Sequence, residues 1–327
     1  MQNRKNRFLG AVLAVSLLAV PPLALAKELV AGLVGPVTTA QGQGLSKFAE
    51  RVSALSNGEL TVRIFPDGQL GGNSDAFELI QDGQMDLFPM TPGNMAEFVP
   101  QIQALVVPFV FRDFDHWKAV TSGPVARQLS DQAADKAGVM ILGYFGGSVR
   151  NLVSRKPVAS LDDLKYLRIR LHPSEVQIKA WSALGILPTV ISYGEIYNAL
   201  QLDVIDGLEN EPEWVLRMKF YEQAKTYALT EHEIVTRPLI FSKKTFDSLT
   251  PAQRSAVLEA GAEAAEFQHN LEHKLDAESR AQLADSHGVT LVNIDKNKMR
   301  SLVDEALKPV IEKQGLRQIV EQIASTR

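Results

Sequence analysis

The chain has 327 residues, 45% hydrophobic and 22% charged, with a formal net charge of −4 and no cysteine. That composition excludes a disulfide framework, a cysteine nucleophile and a lipid-anchoring cysteine, and no basic tract is present for nucleic acid. The length is ample for two lobes held together by their own cores.

The first 26 residues read as an export signal. Arg4, Lys5 and Arg7 precede the apolar run Leu9–Leu18, and Ala24-Leu25-Ala26 supplies a small–x–small cleavage pattern, so cleavage is expected before Lys27. Loss of those basic residues takes Lys+Arg from 34 to 31 against 38 Asp+Glu, a net charge of −7. No later segment is long and apolar enough to cross a bilayer, so a free protein in an exported compartment is expected. An acidic body that binds an anion needs a local cationic site.

Beyond the signal, strands and helices alternate. Glu28–Gly35 reads as a buried strand, Pro36–Thr39 as a turn, Gly44–Leu55 as a helix and Thr61–Phe65 as a second strand. Gly71-Gly72-Asn73-Ser74 leads into a helix that runs to about Gln81; such a start is either an anion-binding helix N-terminus or an ordinary cap. Met85–Met90 reads as a strand, Leu105–Phe111 as extended, Asp115–Leu129 as helical with a break at Gly123-Pro124, and Val139–Phe145 as a strong strand. This predicts an α/β lobe with a largely parallel sheet.

Gly146-Gly147-Ser148 marks an expected crossing into a second lobe, where Arg150–Val153 is the first strand. In Leu167–His172 apolar and basic residues alternate. As a strand it turns Leu167, Ile169 and Leu171 to a core, with Arg168, Arg170 and His172 on the other face. A guanidinium fixed on a strand matches a carboxylate with two parallel donors, while periodicity alone favours a half-exposed strand with solvated arginines. Ser174 with Gln177, and Ser192 with Glu195, are capping boxes for two helices, and Gly185 closes the first. Strands are expected at Leu187–Ile191 and Val204–Leu208.

Thr250-Pro251-Ala252-Gln253 is a strong helix start, and no proline follows before His287. The run predicts a helix of about 36 residues, roughly 54 Å, longer than one lobe is wide.

Signals for catalysis are sparse, and no cofactor is expected. There is no phosphate loop, no complete dinucleotide fingerprint and no nucleophile elbow. His269-Asn270-Leu271-Glu272-His273 matches the His-x-x-Glu-His pattern of one class of zinc peptidases. On a polar helix it is expected to be a solvated face, with a zinc-dependent peptidase at His269 and His273 as the remote alternative.

Several blocks together resemble the dicarboxylate-type solute-binding proteins of tripartite ATP-independent periplasmic (TRAP) transporters. They are Phe65–Gly71, Ile80–Asp86, Asp163–Arg170, Tyr193–Gln201 and Val204–Asn210. Many members have glycine in place of Tyr166. The resemblance implies two α/β lobes joined by crossing strands and spanned by a long helix, with the ligand in the cleft. Lobe one is then expected at 27–147 plus about 236–270, and lobe two at 148–235 plus about 271–327. It implies a non-enzymatic, monomeric binder that hands an organic acid to membrane permease subunits.

By the same resemblance, Arg170 grips the ligand carboxylate. Arg150 is the second arginine, Asn210 and Tyr193 flank them, and Thr39, Asn73 and Thr91 are the lobe-one contacts. Glu209-Asn210-Glu211-Pro212 and Thr230-Glu231-His232 are similar to the sugar-acid branch of the family. This favours a uronate or aldonate, with Glu209, Glu231 and His232 near the ligand, over a C4-dicarboxylate or a 2-oxo or 2-hydroxy acid. Alternatively, Glu231 and His232 only stabilise the hinge. A binder reporting to a sensor kinase has the same ligand site and is not separated by sequence.

Overall fold

Two strands cross the whole molecule. β4 (Val139–Ser154) and β8 (Thr226–Ser242) pair antiparallel along most of their length. The structure is a computed structural model that describes residues 26–327, so the expected export signal lies outside the described residues apart from Ala26.

On one side of the crossing pair, β3 (Leu87–Pro89) runs antiparallel to β8. β1 (Lys27–Gly32) and β2 (Leu60–Phe65) extend outward from it in parallel. On the other side, β7 (Gly207–Asn210) is antiparallel to β4, and β5 (Arg168–Leu171) and β6 (Leu187–Val190) follow in parallel. β9 (Thr290–Asn293) joins β8. The sheet order β2-β1-β3-β8-β4-β7-β5-β6, with helices packed on it, makes a two-lobed α/β protein. The sheet of lobe one, expected to be largely parallel, is mixed because the crossing strands run against their neighbours.

Expected elements form with small shifts. α1 (Ala40–Leu55) starts a turn earlier than expected because Thr39 caps it, accepting from the Gly42 N–H at 3.1 Å. α2 (Asn73–Asp82), α3 (Phe114–Ser122), α4 (Pro124–Gln132) and α5 (Glu175–Ser182) lie where expected. The crossing expected at Gly146-Gly147-Ser148 is a bulge inside one continuous strand, with Gly146 and Gly147 at φ of 135° and 105°. Leu105–Phe111, expected to be extended, begins inside the tight helical turn Pro100–Val106, whose start Pro100 sets. The whole of β8 was not anticipated, nor were the C-terminal helices α10 (Lys296–Lys313) and α11 (Arg317–Ser325), numbered after α6 (Ile196–Gln201), α7 (Pro212–Arg217), α8 (Lys243–Ser248) and the long α9 (Pro251–His287).

α9 runs for 37 residues from the Thr250 cap to Gly288, which closes it in the left-handed region. Its buried face changes character along its length. Val257, Ala260, Ala264 and Ala265 join the core of lobe one with Phe48, Phe145 and Phe241. Leu283 joins the core of lobe two with Phe220 and Tyr227. Between them the buried residues are polar: Gln268, Glu272, Asp276 and Ser279. They lie over the bulge, where Gln268 Oε1 accepts from the Gly146 N–H at 2.8 Å and Asp276 Oδ1 from the Val149 N–H at 2.9 Å. The helix thus supplies acceptors for backbone donors that the bulge leaves unpaired. α11 packs on α4, and α10 on α5, so the C-terminal segment touches both sides of the crossing.

Helix and strand approach closely through glycine. A Cβ on Gly261 of α9 would lie 2.5 Å from Leu142 Cβ of β4. Alanine is the better helix former by about 1 kcal/mol, yet the overpacking term is about 1–3 kcal/mol. Gly261→Ala is therefore expected to lower stability in urea denaturation; an increase would contradict this packing.

Candidate functional site

A cavity of about 330 Å³ opens between the lobes at the crossing strands. β5 turns Arg170 into it, with His172 just beyond the strand end, while Ile169 and Leu171 are buried in the core. Arg168, expected on the same face, ends outside the cavity, where it pairs with Asp206 at 2.9 Å. β7 contributes Asn210, and α7, which follows, contributes Trp214. β8 presents Glu233, Val235 and Arg237 at every second residue, as a strand must. Lobe one adds Gln41, Asn73, Thr91 and Asn94.

Three arginines line this cavity, but their charges are spent differently. Arg150 bonds through Nε to Glu209 Oε2, through Nη1 to Glu211 Oε2 at 2.8 Å, and through Nη2 to the Glu209 carbonyl at 2.8 Å. Arg237 pairs with Glu211 and lies 3.6 Å from Glu272. The Gln41 amide, oriented by the donors around it, accepts from Arg237 Nη1 and Nε at 3.0 and 2.8 Å. Arg170 donates through Nε to the Ile191 carbonyl at 3.2 Å, and its terminal nitrogens have no protein acceptor among the described residues. No carboxylate lies within 4.0 Å of it among the described residues.

Electrostatics follow from that division. Burial pulls the Arg170 guanidinium down to about 10; Glu209 and Tyr193 oppose the shift and Arg150 adds to it. Burial alone raises the Glu209 carboxyl, but Arg150 and the two facing imidazoles more than reverse this and hold it well below the usual carboxylate range. Those imidazoles are His172, 3.7 Å away, and His232, 3.5 Å away. Burial keeps both of them below their ordinary value, and therefore neutral.

Asn210 donates from Nδ2 to the Tyr193 hydroxyl at 2.7 Å, and the Tyr193 ring lies 5.5 Å from the Arg170 guanidinium. Asn73 Oδ1 accepts from the Thr91 hydroxyl at 3.1 Å, so these two lobe-one residues form one polar edge. Two buried nitrogens on the cavity wall, His172 Nε2 and Trp214 Nε1, lack a protein partner among the described residues.

The other expected residues sit elsewhere. Thr39 is fully buried as the cap of α1 and does not line the cavity. Glu231 points away from it, pairing with Lys296 and Arg280. His232 is buried behind the wall, edge-on to Trp181 and 2.9 Å from the Thr230 hydroxyl. Glu209 lies beneath Arg150 and is not on the wall.

The zinc-peptidase alternative has no geometry to support it. His273 stacks on Phe114 at 3.9 Å, His269 packs edge-on to Trp117, and Glu272 turns to Gln268 and Arg237. No cluster of three metal-ligating side chains occurs among the described residues. The helix face expected to be solvated is instead partly buried at His269, where burial holds the imidazole down at about 4.

Sequence reading missed Gln41, Trp214, Glu233 and Arg237. The usable signal was the alternation Glu233-x-Val235-x-Arg237, hidden because Pro238 and a bulge at Glu231 interrupt the strand pattern.

The two arginines predict opposite stability effects. Arg150→Ala leaves buried Glu209 without its cation and is expected to cost about 3–5 kcal/mol in urea denaturation. Arg170→Ala removes a buried charge with no carboxylate partner among the described residues and is expected to leave stability unchanged or higher.

The profile of the bacterial extracellular solute-binding protein family 7 matches residues 31–318. A solute-binding protein of Sulfitobacter sp. (strain NAS-14.1) is 39% identical over 267 residues, covering 81% of this chain and 80% of its own length. A crystal structure of a TRAP periplasmic solute-binding protein from Sulfitobacter sp. NAS-14.1, with bound α-D-taluronate, superposes with a TM-score of 0.88 at 35% identity, covering 92% of this chain and 98% of that one. One from Roseobacter denitrificans OCh 114, with bound L-galactonate, gives 0.84 at 29% identity over 91% and 98% of the two chains. The chain belongs to family 7 of the extracellular solute-binding proteins, the periplasmic binding components of TRAP transporters.

Proposed function

We propose that this binding protein captures a sugar monoacid, a uronate or an aldonate, with the carboxylate seated on Arg170. One observation carries the reading: Arg170 is the cavity arginine whose charge no carboxylate takes among the described residues. One uncompensated cation calls for one anionic group. A C4-dicarboxylate brings a second charge, and the remaining arginines, Arg150 and Arg237, are already neutralised by Glu209 and Glu211. A cavity of about 330 Å³ is at the lower end of small-molecule sites, which span about 300–1,000 Å³. The relatives with bound taluronate and galactonate support a six-carbon acid.

In this reading Asn210 and Tyr193 fix the Arg170 side of the ligand. Asn73 and Thr91 reach it from lobe one. His172 Nε2 and Trp214 Nε1 serve its hydroxyls, since a buried polar atom gains most when a partner arrives. Arg150 and Glu209 frame the site and contribute little free charge. Closure of the lobes lowers the local dielectric, which strengthens an Arg–carboxylate pair and penalises an empty closed cleft. The mature monomer, with its export signal removed before Lys27, delivers the acid to the permease.

A thermal-shift screen of the protein from Lys27 onward, against uronates, aldonates, dicarboxylates and 2-oxo acids, tests this by linkage. The expected result is a rise in Tm with one sugar acid, and at least about a hundredfold loss of affinity in Arg170→Ala, about 2.7 kcal/mol. Binding by Arg170→Ala within about tenfold of the natural protein contradicts the clamp. Shifts confined to dicarboxylates contradict the sugar acid.

A further inference from the structure

Glu233 is a buried acid on the cavity wall with no counter-ion among the described residues. It lies in β8 directly opposite Arg150 of β4 and is 5% exposed. Its Oε2 accepts from Gln177 Nε2 of α5 at 2.6 Å, and no basic side-chain nitrogen lies within 4.0 Å of it among the described residues.

The charged groups around it are Arg150 from β4, Glu209 from β7, Glu211 at the start of α7, and Arg237 from β8. Both arginines are committed elsewhere: Arg150 to Glu209 and Glu211, Arg237 to Glu211 and Glu272. An ionised Glu233 would be a further negative charge beside acids that already hold the local cations. Burial pushes its carboxyl up to about 8, with Glu209 and Glu211 adding to the rise against Arg150 and Arg237. His172 lines the same cavity and is kept neutral by burial, so it does not supply the missing charge.

We propose that Glu233 stands in the cleft as a neutral carboxylic acid whose O–H donates to a hydroxyl or ring oxygen of the sugar acid. Gln177 occupies Oε2 as an acceptor, which leaves Oε1 to carry the proton. Glu233 is thus a specificity residue for an uncharged oxygen on a ligand whose single charge rests on Arg170. This goes one step beyond the sugar-acid reading and relies on it for the identity of the acceptor.

The sign of the pH dependence follows. Deprotonation of Glu233 removes the donor and places a negative charge beside an anionic ligand, so affinity falls as pH rises through its ionisation, by up to about tenfold per pH unit.

Two measurements test this. The first is 13C NMR titration of the unliganded protein labelled at glutamate Cδ, with the Glu233 resonance assigned by its loss in Glu233→Gln. A carboxyl still protonated at pH 7 supports the proposal; one already ionised overturns it, whatever the ligand proves to be. The second is calorimetric titration with the sugar acid from pH 6.5 to 9.5. The natural protein is expected to lose affinity through this range. Glu233→Gln, which keeps a donor but no ionisable proton, is expected to bind a few-fold more weakly at pH 6.5 and to show a flat profile up to pH 9. A profile in Glu233→Gln that still falls as in the natural protein overturns the proposal. Failure of every acid to bind would refute the sugar-acid reading, and the NMR titration would still decide the state of Glu233.

Discussion

The structure depends on how buried charge is divided where β4, β7 and β8 meet. Three arginines reach one cavity, and carboxylates take two of them. Buried ion pairs of this kind are weak sources of stability, because desolvation offsets their attraction. Their value here is positional. Glu209 and Glu211 pair with Arg150 and Arg237, which leaves Arg170 as the cavity arginine that no carboxylate takes among the described residues. On the proposed function, such a site discriminates by charge count before any hydroxyl is recognised.

The backbone makes that division possible. β4 and β8 carry residues of both lobes through a single pair of strands, and the bulge at Gly146 lets them change direction between lobes. A bulge in a buried strand exposes donors that would destabilise the fold if left alone. α9 supplies acceptors at that point through Gln268 and Asp276, while its ends are buried in separate cores. The helix therefore holds the crossing from outside through its polar middle. The small residues of its first half, Ala260, Gly261 and Ala264, let it lie close enough to do so.

Much of this was legible in the sequence where local physics is decisive. The long helix was bounded by its own cap, N1 proline and terminal glycine. The alternation in Leu167–His172 placed Arg170 and His172 on one face and Ile169 and Leu171 on the other. What was not legible depended on partners distant in sequence. Arg150 and Arg170 look alike as strand arginines; only the fold brings Glu209 and Glu211 against one of them and not the other. β8 escaped notice because Pro238 and the bulge at Glu231 interrupt its pattern, and because two of its inward residues, Glu233 and Arg237, belong to a buried charge cluster rather than an apolar face. Arg168 matched the same period as Arg170, yet it lies at the end of the strand, where Asp206 and solvent claim it.

The most direct test is a crystal structure of the mature protein with its sugar acid bound. The account predicts the ligand carboxylate in a two-point contact with the terminal nitrogens of Arg170, with Arg150 still bonded to Glu209 and Glu211. A carboxylate seated on Arg237, or on Arg150 after displacement of either glutamate, would contradict it.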